Sequence, residues 1–523
     1  MEKKIKKIGI ICDLFPNSGL GHLRRMKYLA AELNKKKGKC HFIFNKKYEK
    51  FIKKFTKDIP TIFFEDKGSD KYKRLVKTIS KIGISTIIFD SYVLDLRWER
   101  EFIKEGFFVA AIDDHLKKHH ANLIITNRSK NQVPKKNYTK QNWIMGQKYV
   151  LVKKNKKKIR KTKKNTSHKK ILLHAGGSSL YNLIENFTIS TFKACNKFKA
   201  KIFVLCTTEK SKKIVKKIAK KIKFTSQINY VPFTKNLTST LSQYDIIAGP
   251  TGTTTFETIL ADSLTFSSQL KNDGRDSLES WHSLGNLMHL DYYEKNNLNI
   301  LHESWKLIFE KYHDLKKILK KNSLNIDGKG PQRVAEKILE YDKKINTKNK
   351  IHTNKINNKN KFYSKPCTLE DARGFLNSRN NIFARSGSTK PSHIISWPEH
   401  VRWWINKDIA KFAIKFKEKI LAYHWIKLNS DPDGKFLTSG WFLSGNTKKN
   451  IKIAFNVLKF QIYTAKKKYK NLIWIIIMKK ENRFVRALNS KLGFNQPNKK
   501  TIKRALKAFN IKEDDYTIME MHL

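Results

Sequence analysis

The segment IGIICDLFPNSGLGHLRR, residues 8–25, contains an apolar run, a loop with two glycines and the first turns of a helix. The apolar run at residues 8–13 predicts a buried strand, and the Pro-Asn-Ser-Gly cluster that follows predicts a loop. From His22 to Leu33, apolar residues recur at helical spacing. This order of strand, loop and helix is typical of the first unit of a parallel α/β sheet.

The same alternation continues as far as residue 342. Further short apolar runs lie at residues 41–45, 60–64, 85–90, 107–112 and 122–126. A basic stretch at 153–170 interrupts the pattern, which restarts with apolar runs at 170–174, 201–206 and 245–248. Apolar strands separated by helical stretches predict parallel sheets covered by helices on both faces. We therefore expect two doubly wound, Rossmann-like lobes, residues 1–152 and 170–342, with a cleft between them.

A third region follows a segment of different composition. Residues 343–361 have no aromatic and almost no apolar side chains, which predicts a flexible linker. From residue 362 onwards aromatic residues become dense. We predict strands at 410–416, 419–428, 437–443 and 472–478 and a helix at 450–468. Residues 362–523 are therefore expected to form a smaller α+β domain.

Composition limits the possible functions of the 523-residue chain. Lys and Arg total 109 against 44 Asp and Glu, a formal charge of +65, but the lysines are spread over the whole sequence. A nucleic-acid-binding protein concentrates its charge on one face, and the basic run at 153–170 has no aromatic residue to stack a base. Nucleic-acid binding is therefore kept only as a remote alternative.

The cysteines and the apolar segments suggest a cellular compartment. Five cysteines without CxxC spacing argue against a disulfide framework or a cysteine-rich zinc site, and they fit a reducing cytoplasm. No uninterrupted apolar stretch approaches about 20 residues, so no membrane span is expected.

The GLGHLRR string, residues 19–25, has features of a catalytic loop. A helix start offers free N–H groups and a positive potential, which suit an anionic ligand and disfavour a protonated imidazole. A neutral His22 in this place could act as a general base for water. The alternative is a helix-capping loop that contains an incidental histidine.

Five segments of the first 290 residues carry a family resemblance. They are GLGHLRRMKYLAAEL from Gly19, FDSYVLDLRWEREF from Phe89, AIDDHLKKHHANLIITN from Ala111, ILLHAGGSSLYNL from Ile171 and GPTGTTTFET from Gly249. In this order they resemble the motifs of the hydrolases of pseudaminic acid biosynthesis, which act on UDP-2,4-diacetamido-2,4,6-trideoxy-β-L-altropyranose. The resemblance implies a fold like that of the GT-B glycosyltransferases and a metal-independent hydrolysis that releases UDP.

The resemblance also implies roles for individual residues. His22 corresponds to the residue that activates water, and Glu257 is placed to accept the ribose hydroxyls. Contacts with the diphosphate and nucleotide are implied for Gly176, Gly177, Ser178, Asn182, Gly252, Thr253 and Thr254. Contacts with the sugar are implied for Asp13, Asn17, Tyr92 and Asp114. Gly21 and Arg25 are further candidate substrate contacts.

The sequence departs from the family pattern at two places. Ser179 stands where the family has an acid, and the segment after Glu257 lacks the usual Gly-Pro and Asn-Gln pairs. These departures keep open a related nucleotide sugar as substrate. They also keep open the alternative of a GT-B glycosyltransferase that uses a UDP-sugar donor and an alcohol in place of water.

The last 160 residues carry a second resemblance. NRFVRALNSKLGF, residues 482–494, and the residues Arg385, His400, Trp403 and Trp404 resemble segments of GNAT-family N-acetyltransferases. The resemblance implies acetyl-CoA as cofactor, bound at a splayed strand. Lys448, Lys449, Asn482 and Asn489 are the candidate acetyl-CoA contacts.

This domain also departs from its family. The pyrophosphate loop lacks its glycines, and Asn489 replaces the tyrosine that often serves as general acid. A GNAT-shaped domain kept for assembly or substrate binding is therefore the alternative. If both resemblances hold, one chain acetylates the amino group at C4 of a nucleotide-linked sugar and then removes UDP.

One histidine pair suggests a metal. His115 and His119 have the HxxxH spacing of two ligands on one helix face, but no further ligand lies at a telling distance in the sequence. We expect a loop here, with both rings on a polar surface, and no metal site.

Overall fold

The computed structural model describes two compact units, Met1–His352 and Thr353–Leu523. The structural statements below concern residues 6–14, 20–36, 38–68, 71–94, 96–129, 132–133, 142–154, 168–176, 181–206, 208–232, 240–270, 278–346, 362–388, 390–416, 419–445 and 451–523.

The first lobe of unit 1 is built on a seven-stranded sheet in which all neighbouring strands are parallel. In sequence order its strands are β1 Lys6–Cys12, β2 Gly38–Asn45, β3 Thr61–Phe64, β4 Ile84–Asp90, β5 Phe108–Ile112, β6 Leu123–Thr126 and β7 Asn142–Met145. Across the sheet they lie in the order β3-β2-β1-β4-β5-β6-β7, the Rossmann order with one strand added.

Helices cover both faces of this sheet. They are α1 Gly21–Lys35, α2 Glu49–Ile52, α3 Lys71–Lys81 and α4 Leu96–Lys104, with 3₁₀ turns at Lys46–Tyr48 and Gln147–Tyr149. One core packs between the sheet and α1, and a second core packs between the sheet and α3 and α4. The predicted doubly wound lobe is confirmed.

The second lobe of unit 1 repeats the plan with a six-stranded parallel sheet. Its strands are β8 Lys170–Leu173, β9 Lys201–Cys206, β10 Ile228–Pro232, β11 Ile246–Pro250, β12 Leu264–Ser268 and β13 His289–Leu290. The helices are α5 Glu185–Lys197, α6 Glu209–Lys221, α7 Thr253–Leu260, α8 Leu278–Ser283, α9 Leu298–Glu310, α10 Tyr312–Asn322 and α11 Gly330–Asn346, with 3₁₀ turns at Tyr181–Ile184, Leu241–Gln243 and Glu294–Asn296. The order β10-β9-β8-β11-β12-β13 is again the Rossmann order.

The last helix of unit 1 returns to the first lobe. Val334, Ala335 and Ile338 of α11 are part of the core formed with α1. Asp342 of the same helix is 3% exposed and accepts hydrogen bonds from Lys6 and Thr86 of the first sheet. The segment predicted as the second lobe, 170–342, therefore ends in a helix that completes the first lobe.

Two passages of chain lie side by side between the lobes. Gly328 has a φ of +79°, and a Cβ at this position would overlap the backbone of Lys154. A Cβ on Gly330 would likewise overlap the carbonyl oxygen of Val150. The glycines therefore allow the returning chain to touch the outgoing one.

Unit 2 contains a six-stranded mixed sheet in the order β14-β15-β16-β17-β18-β19. Its strands are β14 Tyr363–Pro366, β15 Ile409–Phe416, β16 Lys419–Asp431, β17 Gly434–Leu443, β18 Ile473–Lys479 and β19 Tyr516–His522. Its helices are α12 Ala372–Arg379, α13 Ile382–Ser386, α14 Trp397–Trp404, α15 Ile451–Lys468, α16 Arg483–Lys491 and α17 Lys499–Phe509, with 3₁₀ turns at Leu369–Asp371 and Glu513–Asp515. The prediction that residues 362–523 combine helices with a sheet is confirmed.

The parallel pair in this sheet separates along its length. β17 and β18 pair only through Phe436–Thr438 and Ile473–Ile475. Beyond these residues β17 continues beside β16, and β18 continues beside β19, without a further pairing between them in the described part of the sheet. A wedge therefore opens between residues 439–443 and residues 476–479.

The predicted linker overlaps a helix at its start. Helix α11 extends to Asn346, whereas the linker was predicted to begin at 343. The remainder of the predicted linker, residues 347–361, lies outside the described residues.

Candidate functional site

Carboxylates collect at the carboxyl edge of the first sheet. Asp13 follows β1, Asp90 ends β4, and Asp113 and Asp114 follow β5. Because β1, β4 and β5 are parallel neighbours, their carboxyl ends meet at one edge of the sheet. Helix α1 begins at the same edge, so its first residues face these carboxylates.

His22 forms a dyad with Asp90. Its Nδ1 lies 2.9 Å from Oδ1 of Asp90, whose side chain is fully buried, while the imidazole is 12% exposed. His22 is the second residue of α1, so the helix start presents it to the strand end. No described residue bonds to Nε2 of this ring. The predicted position of His22 at a helix start is confirmed, and the dyad with Asp90 adds a partner that sequence reasoning did not assign.

Arg25 joins the two carboxylates. Its Nε donates to Oδ2 of Asp90 at 2.7 Å, an Nη donates to Oδ1 of the same group, and the other Nη donates to Oδ2 of Asp114 at 2.5 Å. Burial alone would raise the pKa of Asp90, but the charges of Arg25 and His22 outweigh it and hold that pKa below its usual value. Burial alone would also raise the pKa of Asp114, but the charge of Arg25 outweighs burial and lowers that pKa. Both groups are therefore carboxylates at neutral pH.

Tyr92 closes the network on the side of the loop after β4. Its hydroxyl donates to Oδ2 of Asp114 at 2.9 Å, and its ring packs edge-on against the His22 ring at a centroid distance of 4.4 Å. Burial, and then the charge of Asp114, raises the pKa of Tyr92. The hydroxyl is therefore a fixed donor to the carboxylate, and the ring holds the plane of the imidazole.

Asp13 supports the loop that carries Tyr92. Its two oxygens accept from the Ser91 hydroxyl at 2.6 Å and from the backbone N–H of Tyr92 at 2.7 Å. The side chain is 9% exposed. In this structure Asp13 therefore orders a neighbour of the dyad, and its predicted contact with the sugar stays a prediction.

The geometry sets the chemistry of the imidazole. A carboxylate can only accept, so the hydrogen between Nδ1 and Asp90 belongs to Nδ1 in the neutral ring. Nε2 then carries the lone pair and is the nitrogen that can take a proton. Asp90 would stabilise the cation that forms, as a carboxylate does behind the histidine of a catalytic triad. The arrangement can perform general base catalysis.

The second lobe meets the first lobe beside His22. A Cβ on Gly21 would lie 3.2 Å from Oγ1 of Thr253, the first residue of α7. The starts of α1 and α7 therefore face each other, and both present unpaired N–H groups and positive potential to the space around them. This potential suits a diphosphate.

Glu257 lies one turn into α7 and is fully buried. It accepts from Nη1 of Arg24 at 2.8 Å and from the hydroxyl of Tyr28 at 3.3 Å. Both partners belong to α1 of the opposite lobe, and neither was assigned from the sequence. The predicted contact of Glu257 with ribose stays a prediction, and it requires these two side chains to withdraw.

The remaining predicted nucleotide contacts are placed in part. Gly176, with a φ of +72°, follows β8, and Asn182 lies on the exposed side of the 3₁₀ turn after it. Gly252 and Thr254 flank Thr253 at the start of α7. Asn17, Gly177, Ser178 and Ser179 lie outside the described residues.

His119 corrects one expectation. We expected it on a polar surface, but its side chain is only 11% exposed, with Nδ1 2.7 Å from Oε1 of Glu99 and Nε2 3.4 Å from Oδ2 of Asp113. Burial alone would lower the pKa of His119, but hydrogen bonds to Asp113 and Glu99 raise it to about 9. The imidazolium thus ties α4 to the end of β5. In the described part of the chain, no group of three or more His, Cys, Asp or Glu side chains is placed to hold a metal ion.

The candidate acetyl-CoA contacts of unit 2 lie in different surroundings. Oδ1 of Asn482 accepts from the N–H of Val485 at 3.2 Å and so caps α16. Asn489 is 3% exposed, its Nδ2 lies 3.9 Å from Sδ of Met478, and its Oδ1 has no partner among the described residues. Lys448 and Lys449 lie outside the described residues. The four residues stay candidate acetyl-CoA contacts, and only Asn489 is seen to lie beside the wedge, through Met478 of β18.

The residues that carry the second resemblance sit around the first helices of unit 2. His400 is fully buried, and its Nε2 lies 3.0 Å from the carbonyl oxygen of Ala372. Its ring stacks on Trp403 at a centroid distance of 5.7 Å, and Trp404 lies at 5.3 Å. Arg385 donates to the carbonyl oxygens of Asn380 and Pro391. These contacts order the helices. A role of the four residues in substrate binding stays a prediction.

Comparison with known proteins gives likenesses of structure only. No protein-family model and no curated protein matches the sequence. The chain is similar to MurG of Acinetobacter baumannii, at 11% identity over 64% of this chain and 99% of that one, with a TM-score of 0.45. It is similar to S. aureus MnaA in a co-structure with UDP, at 12% identity over 64% and 96% of the chains, with a TM-score of 0.48. It is also similar to a UDP-GlcNAc 2-epimerase of Neisseria meningitidis bound to UDP-GlcNAc, at 12% identity over 64% and 100% of the chains, with a TM-score of 0.46. These likenesses assign no family to the chain.

Among the described residues, every helix is too short or too polar to cross a bilayer.

Proposed function

We propose that unit 1 hydrolyses a UDP-linked 2,4-diacetamido-2,4,6-trideoxy sugar and releases UDP. The observation that supports this most directly is the dyad of His22 and Asp90, at 2.9 Å, beside the facing starts of α1 and α7. A general base with a fixed free nitrogen is what water needs in order to attack. The motif resemblance supplies the identity of the sugar and of the nucleotide.

The reaction uses the dyad as follows. Nε2 of His22 takes a proton from water as the water oxygen bonds to the anomeric carbon. The bond between that carbon and the diphosphate oxygen breaks, and UDP leaves with the electron pair. The positive charge that forms on the imidazole faces the Asp90 carboxylate, which lowers the energy of the transition state. Arg25, Asp114 and Tyr92 hold Asp90 and the imidazole in place through this step.

A product assay distinguishes hydrolysis from transfer. The full chain is incubated with the UDP-linked diacetamido sugar, and free sugar and UDP are quantified with and without added alcohols. Hydrolysis predicts equal amounts of both products without an acceptor, and it predicts that His22→Ala loses turnover while UDP still binds. Turnover that depends on an added acceptor would establish a glycosyltransferase. Near-normal turnover of His22→Ala would remove His22 as the base.

We also propose that unit 2 binds acetyl-CoA and acetylates the amino group of the same nucleotide sugar. The wedge between β17 and β18 supports this, because strands that separate leave one side of each backbone unpaired. An extended pantetheine arm can bond to such edges as an added strand does. Asn489, with a buried and unpartnered oxygen, lies against Met478 at the wedge.

Hydrogen exchange tests this proposal on the full chain. Acetyl-CoA is expected to slow exchange in peptides that cover residues 439–443 and 476–479, with binding heat in calorimetry. The edge strand β14 is the internal control and should be unaffected. If no heat and no protection were seen at millimolar acetyl-CoA, unit 2 would be a GNAT-shaped scaffold.

A further inference from the structure

Glu257 is a buried charge that the opposite lobe neutralises. Its side chain is fully buried, and its oxygens accept from Nη1 of Arg24 at 2.8 Å and from the Tyr28 hydroxyl at 3.3 Å. A carboxylate removed from water must be paired, and losing a partner is costly. Any ligand that reaches Glu257 must therefore replace these donors with donors of its own.

Arg24 lies close to the place where a diphosphate would bind. Gly21, three residues earlier on α1, abuts Thr253 at the start of α7. Glu257 follows Thr253 by one helical turn, a rise of about 6 Å. The Arg24 guanidinium, bonded to Glu257 and 18% exposed, is thus about one turn from the N–H groups at the start of α7. For a phosphate bound at those N–H groups, Arg24 is then a candidate partner once its side chain leaves Glu257.

We propose that Arg24 is a diphosphate-binding residue that is held on Glu257 until a ribose takes that carboxylate. This inference rests on the proposed function of unit 1. The ribose hydroxyls become the donors to Glu257, and the freed guanidinium pairs with the diphosphate, for which its planar fork is suited. Both charged groups stay paired before and after the exchange.

The exchange makes affinity depend on the phosphates. A nucleoside without phosphates must break the pair of Arg24 and Glu257 and gives Arg24 nothing in return. A nucleoside diphosphate satisfies both residues. The pair therefore selects nucleotides over nucleosides, although Glu257 itself contacts only the sugar.

Calorimetry with UDP and uridine tests the exchange on the full chain. In Arg24→Gln, UDP loses a charge-assisted partner and is expected to bind about tenfold more weakly. Uridine no longer competes with a cation for Glu257 and is expected to bind about threefold more tightly, because the amide that remains is a weaker donor. Tyr28→Phe removes a competitor but no phosphate partner, so both ligands should bind more tightly. Lys27→Gln, which removes the same charge from the exposed face of α1, is the matched control and should change neither.

The outcomes separate the possibilities. Equal weakening of both ligands in Arg24→Gln, or no change in either, would overturn the exchange and leave the pair as an interlobe contact only. If the unaltered chain bound no UDP, the proposed function of unit 1 would fail, and the exchange with it. If Arg24→Gln did not fold, Arg24→Lys, which keeps the charge and loses the fork, should give the same opposite shifts at smaller size.

Discussion

Asp90→Asn is the substitution that tests the dyad most directly. The carboxylate lies 2.9 Å from Nδ1 of His22, so the centres of the two charges would be about 4 Å apart in the transition state. At an effective dielectric constant of about 20, this pair is worth about 4 kcal/mol. Turnover should therefore fall by about a thousandfold.

The hydrogen-bond pattern adds to the loss. Asp90 accepts at both oxygens, from Arg25 at each and from His22 at Oδ1. An amide offers one acceptor and one donor group, so its NH₂ must face an Arg25 donor at either position, and at the Oδ1 position it also faces His22. Facing His22, it would force the lone pair onto Nδ1 and the proton onto Nε2, which removes the base.

The assay is UDP release from the diacetamido nucleotide sugar, with calorimetry of UDP as a control for the second lobe. UDP affinity should stay within about threefold, since the side-chain hydrogen bonds of Asp90 among the described residues all go to His22 and Arg25 of α1. Asp314→Asn, an exposed acid of α10, is the matched control and should behave as the unaltered chain. The double variant of Asp90→Asn with His22→Ala should be no slower than His22→Ala alone, because the two residues act as one device. Turnover of Asp90→Asn within tenfold of normal, in a folded protein, would refute the role of the dyad.

Two further predictions concern pH. Burial lowers the pKa of His424, which is fully buried against Phe412, to about 3, so the unfolded state binds the proton first. Unit 2 should therefore lose about 1.4 kcal/mol of stability per pH unit as pH falls from about 6.5 to about 3. Hydrogen exchange of β16 in His424→Gln should show a shallower loss. The pKa of His119 is raised to about 9, so its contribution to the free energy of unfolding is complete below about pH 6.5 and is lost as pH rises through 9. Thermal unfolding measured over a series of pH values tests this. If His119→Gln kept the full alkaline decline in stability, the prediction would be contradicted.

Much of the fold was predictable because the burial of strands and helices determines where apolar residues lie in the sequence. The predicted strand at 201–206 is observed as Lys201–Cys206, and that at 85–90 as Ile84–Asp90. Strands buried on both faces must be continuously apolar, which makes them visible in the sequence. β10 was missed because Ile228–Pro232 is only partly buried and Asn229 interrupts its apolar residues, and β14 because Tyr363–Pro366 is a short edge strand.

The site was predictable only where one local signal sufficed. His22 could be placed because a glycine loop and a helix start lie next to it. Its partnership with Asp90, 68 residues away, depends on β1 and β4 being neighbours in the sheet, which periodicity does not reveal. The pair of Arg24 and Glu257, 233 residues apart, depends on how the lobes close. A carboxylate at the end of a predicted parallel strand was the one available signal for Asp90.

The paired passages at Gly328 and Gly330 have a mechanical consequence. The backbone of Gly328 and Gly330, in one connection between the lobes, lies directly against the backbone of Lys154 and Val150 in the other. A rotation about this contact would bend both connections together, whereas sliding would separate the two backbones. An opening of the lobes about this contact would separate Gly21 from Thr253, and closing would bring the same two helix starts together again.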